Sequence, residues 1–303
     1  MSPLTPARRL LRLAGLAALG AVAGSLLASG VASADLLTPE SGGSPNADRI
    51  DTLYKLILYI AIVVFIGVEG ALIWSLVRFR ARKGRVAAQI HGNTRLEIGW
   101  TVGAAVLLVF ITAVTFVQLG KIKNPEASDP GGLAGARPVY ASTDQPPPPG
   151  GRALNIRVNG QQYIWRYQYP GADVFAYEEM VVPEDTTVTL DITADDVAHS
   201  WWIPELGGKF DALPGYVNKT WFKASEPGLY EGQCAELCGR NHANMLARVR
   251  VVPVARYQTW FDRQQADIAA ARKAGAEGRR ALEQEGGASS TEGGTSSAPG
   301  SDQ

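Results

Sequence analysis

The chain has 303 residues, and its 29 Lys and Arg balance its 29 Asp and Glu for a formal net charge of zero. That length leaves room for one or two domains, and the balance argues against a nucleic-acid binder, which carries a basic excess. Two cysteines, three histidines and three methionines are its whole stock of sulfur and imidazole, so where they fall is informative.

Residues 1–34 read as a secretory signal peptide. Arg8, Arg9 and Arg12 form a basic head, a short apolar run follows, and Ala32-Ser33-Ala34 provides an A-x-A exit, with cleavage expected after Ala34. No cysteine lies near that exit, so no thioether-linked lipid is expected. Residues 35–120 are expected to form a two-helix transmembrane hairpin. Its apolar runs, 53–77 and 98–119, each approach the 20 or so residues needed to cross a bilayer core. Between them "RFRARKGRVAAQIHGNTR" carries six Arg or Lys and no acid. The positive-inside rule makes that loop cytoplasmic and puts both termini, with everything after residue 119, on the outer face.

Residues 121–152 form a Pro/Gly-rich linker whose four consecutive prolines favour an extended spacer. From 153 to 262, short β-branched and aromatic runs such as "TVTLDIT", "VNKTWFKAS" and "MLARVRVVP" alternate with Gly, Pro, Asp and Asn. That pattern predicts an all-β sandwich or barrel. Residues 263–303 are expected to hold a short surface helix and then a disordered tail, because "GGASSTEGGTSSAPGSDQ" lacks apolar content.

The chemistry concentrates in Cys234 to Met245, "CAELCGRNHANM", which holds both cysteines, His242 and Met245. In an oxidising compartment two cysteines ordinarily pair, but a disulfide leaves the His and Met offsets unexplained. Structural zinc sites use Cys and His, usually with Cys-x2-4-Cys and no thioether. Thiolate, imidazole and Met sulfur together are a copper set. A mononuclear blue-copper site uses one thiolate; the second, four residues on, is able to bridge two ions. The second imidazole falls to His199, the only other histidine of the outer domain, since His91 lies in the basic loop.

"VAHSWWIPELGGKFDALPGYVN", "PGLYEGQCAELCGRNHANM" and the two preceding apolar helices resemble subunit II of the haem–copper cytochrome c oxidases over roughly residues 50–262. The resemblance implies a membrane-anchored, cupredoxin-like Greek-key β-barrel in a bacterial plasma membrane. It also implies a binuclear CuA centre of two copper ions. Cys234 and Cys238 would bridge them, with His199 and Met245 completing one ion and His242 and the Glu236 carbonyl the other. The Glu236 side chain would serve a magnesium ion shared with subunit I. Implied partners are the haem-bearing subunit I, subunit III, the lipid bilayer, and cytochrome c as donor. The implied activity is oxygen reduction to water coupled to proton translocation.

An aromatic pair marks electron entry in that family. Here Trp165 matches one member, while Tyr163 stands where the family usually has tryptophan. Glu97 occupies the place of a glutamate near the mouth of a proton channel in subunit I. Eight acids and no Lys or Arg between Gly171 and His199 suggest a docking face for a basic donor. Glu69, in mid-helix, is expected to face subunit I, since lone charges in a bilayer core are costly. A quinol oxidase subunit would lack the copper ligands, and a nitrous oxide reductase would carry a histidine-rich propeller. A nitric oxide reductase subunit differs only in its partner, and two membrane helices argue against a secreted shuttle.

Overall fold

In the computed structural model, residues 38–292 are described apart from 82, 83, 85, 87, 88, 134–152 and 170–173. The expected signal peptide and the proline run of the linker lie outside the described residues.

Helix α1 spans Pro45–Arg78 and α2 spans Thr94–Lys123, each beginning before and ending after the apolar stretch that announced it. Hydropathy finds the part that meets lipid, whereas caps fix where the backbone starts to coil. Ser44 caps α1 with Pro45 at its first position, where a missing N–H costs nothing. Asn93 caps α2 by accepting from the Leu96 N–H, and Glu97 reaches back to accept from the Asn93 N–H at 3.2 Å. The 34 residues of α1 make it about 51 Å long, against roughly 30 Å of hydrocarbon. Both helices hold a strongly apolar window of which none is buried, so these are not core helices of the globular part.

Among the described residues ten strands follow: β1 Leu154–Gln161, β2 Ile164–Tyr169, β3 Val174–Tyr177, β4 Glu179–Pro183, β5 Thr186–Ala194, β6 His199–Trp202, β7 Phe210–Ala212, β8 Asn218–Ala224, β9 Gly228–Cys234 and β10 Leu246–Val252. They make two five-stranded sheets, ordered β3-β2-β1-β5-β8 and β4-β10-β9-β6-β7. This is the expected all-β barrel in two-sheet form. The pairs β1–β5 and β4–β10 are parallel and the other ladders antiparallel. β5 is buried over nearly its whole length, as a central strand covered on both faces should be. Ile156, Val158, Trp165, Leu190 and Ile192 of one sheet share a core with Trp201, Ala247, Val249 and Val251 of the other. Tyr169 of β2 ties the sheets further: its hydroxyl donates to the Val181 carbonyl of β4 and accepts from the Val181 N–H, both at 2.8 Å.

Two expectations need correction. The helix after the barrel is not short: α3 runs Val254–Glu292, 39 residues. Its sequence is rich in Ala, Arg, Glu and Gln, all strong helix formers, and isolated glycines cost only about 1 kcal/mol each there. Tyr257, Trp260 and Phe261 of its first turns pack on Tyr169 or on one another. The linker is also not a free spacer where it begins. Residues 124–133 are stitched to the barrel through Asp129 N–H to the Asp185 carbonyl, Thr187 hydroxyl to the Glu126 carbonyl, and Leu133 N–H to the Thr186 hydroxyl.

Strand β8 is where the hairpin meets the barrel. Asn46 donates its amide to the Trp221 carbonyl at 3.1 Å, and the Trp221 indole donates to the Ile122 carbonyl at 2.8 Å. The Lys223 N–H donates to the Ser44 hydroxyl at 3.2 Å, and Arg49 pairs with Glu126. Both membrane helices thus reach the same strand.

Candidate metal centre

Strand pairing assembles the site. His199 opens β6 and Cys234 closes β9, and the two strands are neighbours through Trp201 opposite Cys234. Strands β9 and β10 pair up to Gln233 and Leu246, and the Cys234 N–H donates to the Met245 carbonyl at 2.9 Å. The segment from Cys234 to Met245 is therefore a hairpin loop with a fixed base. It bends through Gly239, at φ 133°, and a 3-10 turn at His242–Asn244.

Both cysteines are free and buried, their sulfurs 3.9 Å apart. His199 Nδ1 lies 3.9 Å from Cys234 Sγ, and His242 Nδ1 lies 3.6 Å from Cys238 Sγ. Met245 Sδ is 3.8 Å from Cys238 Sγ, and the Glu236 carbonyl oxygen is 3.2 Å from Cys234 Sγ. Of these groups, His199, Cys234 and Cys238 lie mutually within 4.8 Å; His242 and Met245 join through Cys238. A thiolate–metal bond is about 2.3 Å, so sulfurs closer than about twice that can both hold one ion. Two soft sulfurs, two imidazoles, a thioether and a carbonyl around one point fit copper better than zinc or a hard cation.

His199 is held on several sides. Its Nε2 lies 2.8 Å from the Asp196 carboxylate. Trp165, wholly buried, meets its ring edge-on at 5.8 Å. Gly160 of β1 leaves the room it needs: a Cβ there would come within 3.0 Å of the imidazole and 3.1 Å of the Trp165 ring. Burial, first, opposes charge on Asp196, but hydrogen bonds from His199 and from the Gln162 and Val197 N–H groups outweigh it and hold the carboxyl below its ordinary range. Burial and the neighbouring Cys234 sulfur push the Cys238 thiol up to about 11.

Tyr163 and Trp165 do not form one surface pair. Trp165 is core, whereas half-buried Tyr163 lies against the loop just after Cys238, where its hydroxyl occupies the place a Cβ on Gly239 would need. Trp201 is core too, its indole 3.3 Å from the Tyr167 hydroxyl, and Trp202 lies at the surface under the Lys209 ammonium. The Glu236 side chain is exposed. Glu97 is remote, at the start of the 30-residue α2, and His91 is exposed in the hairpin loop.

The acidic block splits. Glu179 pairs with Arg250 and buried Asp191 with Lys219. Glu184 and Asp185 lie at the start of β5, about 26 Å along the strand from its site end. Among the described acids of the block, Asp195 and Asp196 adjoin His199. Residues that sequence reasoning missed are Gly160, Gln162 and Gly239. Gln162 donates its side-chain amide to the Cys238 carbonyl at 2.6 Å, and nothing in the sequence signals that contact.

A model of the family described as "Cytochrome C oxidase subunit II, periplasmic domain" matches residues 173–252, and one for the "transmembrane domain" of the same subunit matches 34–117. The cytochrome c oxidase subunit 2 of Alkalihalophilus pseudofirmus is 30% identical over 246 residues, covering 80% of this chain and 67% of its own. A probable subunit 2 of Rickettsia bellii is 32% identical over 239 residues, covering 72% of this chain and 80% of its own. The chain belongs to the cytochrome c oxidase subunit II family. The periplasmic domain of the oxidase subunit II of Bradyrhizobium japonicum is 35% identical, covering 38% of this chain and 94% of that one, with a TM-score of 0.37. Membership in this family makes the chain a membrane-anchored component of a haem–copper oxidase, with its β domain on the outer side of the membrane.

Proposed function

We propose that the chain is the electron-entry subunit of a terminal oxidase: it receives electrons from cytochrome c on the outer face and delivers them to haem in subunit I, where oxygen is reduced to water and protons are moved. The observation that carries this reading is the convergence of Cys234, Cys238, His199, His242, Met245 and the Glu236 carbonyl within one buried loop-and-strand pocket. Two copper ions held there would supply a one-electron store that changes shape little on reduction. Cys234 and Cys238 would hold both ions, with His199 and Met245 serving one and His242 with the Glu236 carbonyl the other. The protein's part is rigidity. Every ligand sits on a strand end or on a loop pinned by the β9–β10 ladder, so the donors keep their positions whatever charge they enclose.

Tyr163, half-buried with its hydroxyl against Gly239 of the loop, serves as the entry point, with Trp165 packed against His199. Asp195 and Asp196 contribute negative charge that steers a basic donor, so turnover falls with ionic strength. Exposed Glu236 would contribute one ligand to a magnesium ion completed by subunit I. Both termini face outward and the basic loop inward. Glu97, at the inner end of α2, sits at the mouth of a proton route in subunit I. Glu97→Gln retains most of the helix cap, so several-fold slower oxygen consumption would report proton delivery, whereas unchanged turnover removes that role.

The deciding measurement is copper per chain with absorption and paramagnetic resonance spectra of the purified complex. Two coppers sharing one unpaired electron are expected beyond the copper of the haem-bearing subunit; only one further copper, or zinc in place of the pair, overturns the assignment.

A further inference from the structure

Asp196 and Asp195 are adjacent acids at the rim of the site, and as bare charges they are interchangeable. Their hydrogen bonds are not. Asp195 spends both oxygens on side-chain amides, Asn159 at 2.8 Å and Gln161 at 2.7 Å. Asp196 turns inward. Its Oδ1 accepts from the Val197 N–H at 2.6 Å and faces His199 Nε2 at 2.8 Å, and its Oδ2 accepts from the Gln162 N–H at 2.7 Å. Gln162 in turn donates its side-chain amide to the Cys238 carbonyl at 2.6 Å.

We infer that Asp196 is a positioning residue for the metal centre, which with Gln162 links the His199 ligand to the cysteine loop. The inference rests on the copper-site reading above. An ionised carboxylate only accepts hydrogen bonds, so the proton of His199 must sit on Nε2. That leaves the Nδ1 lone pair pointing toward Cys234 and the metal position, with the ring angle fixed. The same carboxylate grips the Gln162 backbone, and the Gln162 side chain grips the backbone of a cysteine. The β1–β2 turn thereby joins the two ligand-bearing segments, which are 35 residues apart between His199 and Cys234. A metal ligand whose other nitrogen is held this way typically loses 10–100-fold in affinity when the holder is removed.

The test uses the full chain in the assembled oxidase, with Asp196→Ala, Asp196→Asn, Asp195→Asn and Gln162→Ala. Copper per chain, copper affinity by chelator competition, the paramagnetic resonance spectrum, and the salt dependence of cytochrome c oxidation are read for each. Asp196→Ala is expected to lose 10–100-fold in copper affinity and to alter the nitrogen hyperfine pattern. Asp196→Asn keeps an oxygen for His199 Nε2–H but sets an amide NH2 against the Gln162 N–H, so it restores only part of the affinity, while its lost charge raises the reduction potential. It also covers the case in which the alanine variant fails to fold. Gln162→Ala weakens affinity without changing net charge. Asp195→Asn flattens the salt dependence as Asp196→Asn does, yet leaves copper affinity and spectrum as in the wild type. If both Asp196 variants match Asp195→Asn in affinity, spectrum and potential, Asp196 is only a docking charge and the inference fails. Wild-type complex without that pair of coppers would instead defeat the functional reading itself.

Discussion

At the level of single residues, the site is made by what surrounds the ligands as much as by the ligands. Gly160 is one case. Replacing it with alanine would drive a methyl group against His199 and Trp165, and overpacking of this kind costs about 1–3 kcal/mol. Gly160→Ala should therefore lower both thermal stability and copper affinity. A variant with normal copper content and an unshifted melting temperature would show that β1 yields freely. Cys238 is another. Its thiol is pushed up to about 11 by burial and by the Cys234 sulfur, so at neutral pH it is protonated and metal must displace that proton. Raising pH favours the thiolate, so affinity of the metal-free protein should climb by about tenfold per pH unit between pH 6 and 8 from this group alone. Chelator competition across that range checks it, and a flat profile contradicts the protonated thiol. The cysteine loop was legible in the sequence because its ligands are local and their offsets regular. His199 was legible because the count of histidines left no other choice. Gln162 was not: a side-chain amide reaching a carbonyl 76 residues away leaves no pattern along the chain. Asp195 and Asp196 were read as a surface because composition records charge and not where a carboxylate points.

The elements show the same division. Strand runs and turn residues announced an all-β domain, and its two sheets follow from burying one face of each strand. Tyr169 shows how the sheets are held in register. Both hydrogen-bonding groups of Val181 end on its hydroxyl, and Tyr169→Phe leaves them buried and unpaired. The expected loss is about 1–3 kcal/mol. For a domain near 100 residues each kcal/mol lowers Tm by about 4–8 °C, so calorimetry decides the matter; no change would mean water has replaced the hydroxyl. Helix α3 was misread in length because the sequence from Gly286 lacks apolar content and was read as unable to fold. A glycine stops a helix when the turn after it is built to leave, and composition by itself does not reveal that. Helix α2 was read for its apolar stretch, while its start is set by Asn93 and Glu97, polar residues that a hydropathy window discards.

At the scale of the whole molecule, the junction on β8 decides how the parts work together. Asn46, Trp221 and Ile122 form a relay of hydrogen bonds from one membrane helix through the strand to the other. Combining Asn46→Ala with Trp221→Phe removes both links, at about 2 kcal/mol together. Amides of β8 and of residues 124–133 should then exchange about thirtyfold faster, if they open locally. Unaltered exchange would mean the junction is held by other contacts. The sequence foretold a spacer here because Pro and Gly dominate residues 121–152 as a set. Within the first ten residues beyond α2, Glu126, Asp129 and Leu133 nonetheless find partners in Thr187, Asp185 and Thr186, at or just before the start of β5.

A barrel bolted to its membrane stalk along one strand cannot commute. Carriers on loose tethers trade reach for waiting time, swinging between a giver and a taker. Here the span between the sulfur-lined pocket and whatever lies beneath it is set once, at folding; under the proposed function all the travelling would then fall to the soluble donor. Thickening the solvent with glycerol should accordingly slow arrivals at the outer surface and leave the handover inside the complex at its native pace.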